Sequence, residues 1–246
     1  MCTLSWIVEP DGYAVFFNRD ERRSRRPADP PRIESAGGVR FAAPRDGEAG
    51  GTWAFVNERG VAACLLNLFR DHPFPPGHPP ISRGLLVLDL AGSTSVAAAE
   101  EVLERTDLAR YQPFTLALFG VGDAPRALRW DGAAARTFPL DADALPLTSS
   151  GRDADGVARS RRGTLARIAA QHGGLTRAAL DAFHRSHHPD RGPCSPCMHR
   201  AEAGTVSLTT ITVEGTATQL SYQPGAPCEE RPVLTVPLSR SAAPEP

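Results

Sequence analysis

Met1-Cys2-Thr3-Leu4-Ser5-Trp6-Ile7-Val8-Glu9-Pro10-Asp11-Gly12-Tyr13-Ala14-Val15-Phe16-Phe17-Asn18-Arg19-Asp20-Glu21 opens the chain. Thr3 to Val8 reads as a strand, Glu9-Pro10-Asp11-Gly12 as a turn with a strong Asp-Gly hairpin signal, and Tyr13 to Phe17 as the return strand. The chain therefore enters a β-hairpin almost at its first residue. Termini usually fray, so a terminus pinned into a sheet is a first hint that the N-terminus has a task.

Further along, residues 22 to 50 are rich in Arg, Pro and Gly and read mainly as loop. Thr52 to Val56 and Val61 to Leu66 are short strands joined by Asn57-Glu58-Arg59-Gly60, and the proline-rich Asp71 to Pro80 is loop. Ser82 to Thr106 has helical spacing with a break at Gly92-Ser93, and Ser93 or Thr94 would cap the second piece. Phe114 to Phe119, Ala127 to Trp130 and Arg136 to Pro139 read as strands. Val157 to Gln171 and Thr176 to His184 read as helices separated by Gly173-Gly174. Thr205 to Val213 and Thr216 to Tyr222 form a hairpin, and a polar tail begins near Ser239. Strands, helices, strands, helices and strands in turn predict an α+β fold with mainly antiparallel sheets. No internal repeat or linker stands out, so one domain over residues 1–246 is expected.

The 246 residues are 41% hydrophobic and carry a formal net charge of −1, which suits a globular chain and gives no electrostatic case for nucleic acid. All 27 basic residues are arginine. No apolar run reaches the length of a membrane span, and the N-terminus lacks the basic and apolar regions of a signal peptide. Five cysteines, an odd number, do not read as a disulfide framework, so a cytoplasmic location is expected.

Cys2 is the sharpest chemical feature. A small residue after Met permits removal of Met1, leaving a thiol and a free α-amine on one residue. The amine, with an ordinary pKa of roughly 7.7–8.0, can take the thiol's proton. The thiolate then attacks a carbonyl, and water resolves the acyl-enzyme. Asn18-Arg19-Asp20-Glu21 returns on the adjacent strand beside Cys2. Gly50-Gly51-Thr52-Trp53 is a tight turn into a strand carrying an aromatic, and Asn67 ends the strand Val61 to Leu66, where its amide could donate to an oxyanion.

Together these segments resemble the NRDE family, named after its tetrapeptide and also called the transport and Golgi organisation 2 family. Ser82-Arg83-Gly84-Leu85 and Cys197-Met198-His199-Arg200 with Thr205-Val206-Ser207-Leu208 are similar to the family as well. The resemblance implies an N-terminal nucleophile hydrolase type of αββα sandwich: two stacked antiparallel sheets flanked by helices. It implies Cys2 as nucleophile, with Arg19 and Asp20 in place of the Arg and Asp that bile-salt hydrolases and penicillin V acylases hold beside the thiol. Those relatives separate the two by two residues, so Asn18 or Glu21 could fill one role instead. Asn67 matches their oxyanion Asn, Ser149 stands where they carry a second Asn, and Arg200 is a candidate for their late Arg. Thr52 and Trp53 are expected at the substrate. The expected partner is a small amide or acyl compound, with no cofactor. The alternative implied by the family is a non-catalytic binding or trafficking protein that handles haem or a lipid.

Cys194-x-x-Cys197 with His199 has zinc-like spacing, and Cys228 could join from afar. The stretch also contains His184, His187 and His188. Because the family pattern accounts for Cys197 to Arg200 without an ion, no metal is expected, and Cys194, Cys197 and His199 are the candidates otherwise.

Overall fold

The computed structural model describes residues 1–70, 74 and 79–240. Most of the expected Asp71 to Pro80 loop and the last six residues of the tail lie outside the described residues. The opening hairpin forms as expected. β1 (Cys2–Glu9) and β2 (Gly12–Arg22) pair antiparallel from Glu9 opposite Gly12 to Cys2 opposite Arg19. β2 runs on through Asn18-Arg19-Asp20-Glu21, so that whole tetrapeptide is held in a ladder.

The segment expected to be loop after residue 22 contains a second hairpin, β3 (Asp29–Ala36) and β4 (Val39–Arg45). Pro30 and Pro31 obscure it in the sequence, yet they fall on an edge strand where the register slips between Asp29 and Arg32, a place where missing N–H donors do little harm. Then follow β5 (Ala54–Asn57), β6 (Ala62–Asn67), α1 (Arg83–Asp89) and α2 (Val96–Arg105). The cap of α2 is Ser95, not Ser93 or Thr94: its hydroxyl accepts from the Ala98 N–H. The Ser93 carbonyl instead accepts from the Asn57 side chain. β7 (Phe114–Phe119), β8 (Arg126–Trp130) and β9 (Ala135–Pro139) complete one sheet in the order β3-β4-β5-β6-β7-β8-β9.

β10 (Leu147–Ser149), α3 (Ala154–Gln171), α4 (Arg177–Arg185), β11 (Ala203–Glu214), β12 (Ala217–Pro224) and β13 (Leu234–Ser239) finish the chain. The other sheet has the order β10-β1-β2-β11-β12-β13, and every pairing in both sheets is antiparallel. β10 and β13 match no expected element. Three residues carry too little pattern to read, and Pro237 in β13 is tolerated because that strand is an edge.

Two apolar cores hold the layers together. One, with Leu4, Trp6, Phe17, Trp53, Val56, Leu66 and Phe119, lies where the sheets face each other, and it extends through Leu180 and Phe183 beneath α4. The other, with Phe41, Phe55, Leu86, Leu90, Leu103, Phe114 and Leu116, lies under α1 and α2. The result is the expected αββα sandwich, with α3 and α4 over the six-stranded sheet and α1 and α2 over the seven-stranded one. Across the two sheets, β6 packs against β1 and β10, which brings the end of β6 toward the start of β1. No helix among the described residues is long and apolar enough to cross a membrane.

Candidate active site

Alternation along β1 decides what surrounds Cys2. Cys2, Leu4 and Trp6 join the core between the sheets. Thr3 and Ser5 meet the helix layer: the Thr3 hydroxyl bonds Arg161 of α3, and the Ser5 hydroxyl lies 2.8 Å from Nε2 of His184 of α4. Cys2 is flanked on both sides, by Arg19 on β2 and Ser149 on β10. The residue is only 8% exposed and lines a cavity of about 270 Å³. Burial pushes the thiol pKa up and the Asp20 carboxylate adds to that, while the N-terminal ammonium, a backbone hydrogen bond at Asp20 and Arg19 pull it down. Met1 sits on the same ladder: its ammonium donates to the Asp20 carbonyl at 3.3 Å, and its carbonyl accepts from the Asp20 N–H at 2.9 Å.

Asp20 is buried and held from two sides. Thr205 of β11 donates to Oδ1 at 2.6 Å, and Arg161 lies 3.4 Å from Oδ2 with neither side chain exposed. Burial raises the Asp20 pKa, with Arg161 and then the N-terminal ammonium opposing. Arg161 also donates to the Cys2 carbonyl at 3.3 Å and the Pro193 carbonyl at 3.1 Å. Arg161 is fully buried beside Cys2 and Asp20, a position that Arg200, the candidate for the relatives' late Arg, does not share. Arg200 instead pairs with Glu202 on the rim of a neighbouring cavity of about 940 Å³.

Arg19 points the other way, into the first cavity. Its guanidinium stacks over Trp53 at 4.3 Å and donates to Asp46 at 2.5 Å. Arg25 grips the same carboxylate at 2.7 and 2.9 Å. Burial works against the Asp46 charge, but Arg25, the Ala49 amide and Arg19 outweigh it and bring the pKa down to about 2. Glu21 joins this network through Arg19 and Arg25, each at 3.6 Å. Asp46 was not anticipated; an Asp-Gly in an Arg- and Pro-rich stretch reads as a turn.

The Gly-Gly-Thr-Trp segment has a backbone explanation. Gly50 adopts a φ of +69° to close the Asp46 turn. Gly51 lies so close to α1 that a Cβ there would fall 2.4 Å from the Gly84 carbonyl carbon. The Thr52 N–H donates to the Gly84 carbonyl at 3.0 Å. This contact seats Trp53, whose Nε1 donates to Thr209 at 3.3 Å, under Arg19. The hydroxyl of Thr52 turns back to the Ala54 carbonyl.

Among the expected site residues, Cys2, Arg19, Asp20, Glu21, Thr52, Trp53 and Asn67 all line the first cavity, with Arg83 of α1 opposite. Asn67 also faces the larger cavity, so the two adjoin. Ser149 stands beside Cys2 on the ladder, buried, and its hydroxyl has no hydrogen-bond partner. Asn18 does not reach the cavity. Strand alternation turns it to the helix side, where its amide donates to the carbonyls of His184 and Pro196. Cys194 lines the larger cavity, whereas Cys197 and His199 lie together elsewhere, so the Cys-x-x-Cys pair does not act as one unit.

Two stacked antiparallel sheets flanked by helices form a sandwich that solved structures of N-terminal nucleophile hydrolases share. A mutant conjugated bile acid hydrolase from Clostridium perfringens superposes with a TM-score of 0.56 at 13% identity, covering 96% of this chain and 92% of its own. The penicillin V acylase of Agrobacterium tumefaciens gives 0.53 at 13% identity, with 96% and 86% covered. The Caenorhabditis elegans orthologue of N-acylethanolamine-hydrolyzing acid amidase gives 0.55 at 14%, with 86% and 92% covered. At these identities the likeness is one of fold. No curated protein sequence matches the chain. The family model described as Transport and Golgi organisation 2 matches residues 1–130, and the chain belongs to that family.

Proposed function

We propose that this protein hydrolyses a carbon–nitrogen bond in a linear amide or related acyl compound, other than a peptide, through an acyl-enzyme on Cys2. The observation that carries the reading is the position of Cys2: first in the hairpin, beside Arg19 and Asp20, and open to the cavity that Asn67 also lines. Removal of Met1 would transfer the α-amine to Cys2, within the reach of the Asp20 main chain that Met1 now occupies.

In the proposed reaction the α-amine takes the thiol proton and the sulfur attacks the amide carbon. The oxyanion accepts from the Asn67 side-chain amide. The α-ammonium passes its proton to the leaving amine as the C–N bond breaks, leaving a thioester. Water, deprotonated by the same α-amine, cleaves the thioester and releases the carboxylic acid. Asp20, fixed by Arg161 and Thr205, holds the amine in place. Arg19, fixed by Asp46 and Trp53, keeps a positive charge beside the sulfur. The first cavity suits the reacting amide, and the adjoining larger one, lined by Phe69, Val157 and Met198, offers room for an apolar acyl chain.

A panel of amides with acyl chains of different length, assayed with wild type and Cys2→Ser, tests the proposal. Hydrolysis by wild type alone, with a mass increase on Cys2 in trapped enzyme, is the expected result; a wild type and variant that are equally inactive across the panel would sink it. A second reading, a non-catalytic binder of haem or an acyl ligand on the same fold, is favoured by the buried, unpartnered hydroxyl of Ser149 where the amidase pattern has an amide donor. A haem titration without a saturable band shift argues against its haem form.

A further inference from the structure

A second cluster of reactive side chains lies apart from the Cys2 cavity. The side-chain ligand atoms of His187, Cys197, His199 and Cys228 all fall within 4.8 Å of one another. They come from three places: the segment after α4, the loop before β11, and the connection between β12 and β13. We infer that these four residues form a closed, structural site for a thiophilic divalent cation, Zn²⁺ above all.

The distances suit a tetrahedron. With Zn–S of about 2.3 Å and Zn–N of about 2.0–2.1 Å, a tetrahedral S···N edge is ~3.6 Å. His199 Nε2 lies 3.5 Å from the Cys197 sulfur and 3.4 Å from the Cys228 sulfur. One imidazole nitrogen carries one hydrogen or one lone pair, so His199 Nε2 satisfies one of its two sulfur neighbours. His187 Nε2 is buried and has no hydrogen-bond partner, though its ring lies 5.1 Å from that of His199. A cation bound to all four atoms satisfies them together, and two thiolates with two neutral imidazoles cancel its charge. Four protein ligands leave no open position, which is the structural rather than the catalytic pattern.

The main chain holds the ligands in place independently of any ion. Cys197 N–H donates to the Ser186 carbonyl at 3.0 Å and His199 N–H to the Arg191 carbonyl at 2.9 Å. The Gln223 amide ties down the turn around Cys228 through the Ala226, Pro227 and Glu229 carbonyls. Met198, between two of the ligands, donates its N–H to the Thr205 hydroxyl, which in turn donates to Asp20. The ion would thus brace the loop that fixes Asp20. The cation site itself does not depend on the proposed hydrolysis.

Metal analysis of the full chain, purified reduced and without chelator, is the test, together with Co²⁺ titration of metal-stripped wild type. The expected result is one zinc per chain and a thiolate-to-cobalt charge-transfer band with tetrahedral visible bands. Cys197→Ser and Cys228→Ser should lose the zinc, and Cys194→Ser should keep it. The cobalt spectrum of wild type keeps the test decisive if the ligand variants fail to fold. Zinc far below one per chain with no thiolate-to-cobalt band overturns the inference. So does zinc that survives both ligand substitutions, or a Cys197–Cys228 disulfide as the resident state of freshly reduced protein.

Discussion

Arg161 of α3 and Asp20 of β2 lie 3.4 Å apart, and neither side chain has any exposure to solvent. A buried ion pair costs desolvation on both sides, so its persistence points to positioning rather than to stability alone. Here the pair anchors the carboxylate of Asp20, whose main chain pairs with Met1. Arg161→Met leaves Asp20 buried without its cation and should cost about 3–5 kcal/mol in urea unfolding. Adding Asp20→Asn should recover part of that loss. A single variant within about 0.5 kcal/mol of wild type would mean that the pair anchors nothing.

His184 makes the fold acid-sensitive. Burial, then Arg161 and Arg185, lower its pKa from the ordinary 6.5 to about 3. Below pH 6.5 the unfolded chain takes up a proton that the folded chain refuses, so this contribution shrinks as pH falls toward 3, by up to ~1.4 kcal/mol per pH unit. Asp46, held at about 2, acts in the same direction at lower pH: its contribution is present above the ordinary carboxylate value and lost as pH falls through about 2. Asp20, raised by burial, has the opposite sign, contributing at low pH and losing that contribution as pH rises through its folded value. The melting temperature should drop between pH 6.5 and 4 in wild type, and His184→Gln should flatten that slope. An unchanged slope would contradict the assignment to His184.

What was legible in the sequence was local. The Asp-Gly hairpin, the strand ending at Asn67 and the Gly-Gly-Thr-Trp turn each carry their signal within a few residues, and all three reach the cavity. Arg161 and Thr205 meet at Asp20, and Asp46 meets Arg19, only through the sheet and helix packing, and in a chain whose 27 basic residues are all arginine no single arginine stands out. The β3–β4 hairpin was hidden for another reason: its prolines break the strand signal, but an edge position tolerates them. Asn18, a site candidate from the tetrapeptide, faces away from the cavity because a strand sends alternate residues to opposite faces.

Asn67 gives a kinetic prediction. If its amide holds the oxyanion, Asn67→Ala should lower kcat by about 10²–10³, in line with loss of one such donor. KM should change far less, since the bond is made mainly in the transition state. Single-turnover rates on the best amide of the panel read this directly; a rise in KM at constant kcat would assign Asn67 to ground-state binding instead.

Gly51 tests the packing that seats Trp53. A Cβ there meets the Gly84 carbonyl carbon at 2.4 Å and its Cα at 2.7 Å, backbone atoms that cannot swing aside. Gly51→Ala should destabilise by about 1–3 kcal/mol through overpacking. It should also weaken the Arg19–Trp53 stack, seen as a changed Trp fluorescence maximum. A variant as stable as wild type would show that α1 can retreat from the turn without cost.

The proposed hydrolysis needs Cys2 armed as an N-terminal nucleophile, and brief, limiting alkylation near neutral pH followed by peptide mapping reads that state. Cys64 is the internal standard, being fully buried with its thiol pKa driven up by burial alone. The expected result is an N-terminal peptide that begins at Cys2, with Cys2 labelled well ahead of Cys64. A retained Met1, or a Cys2 that reacts no faster than Cys64, would contradict it.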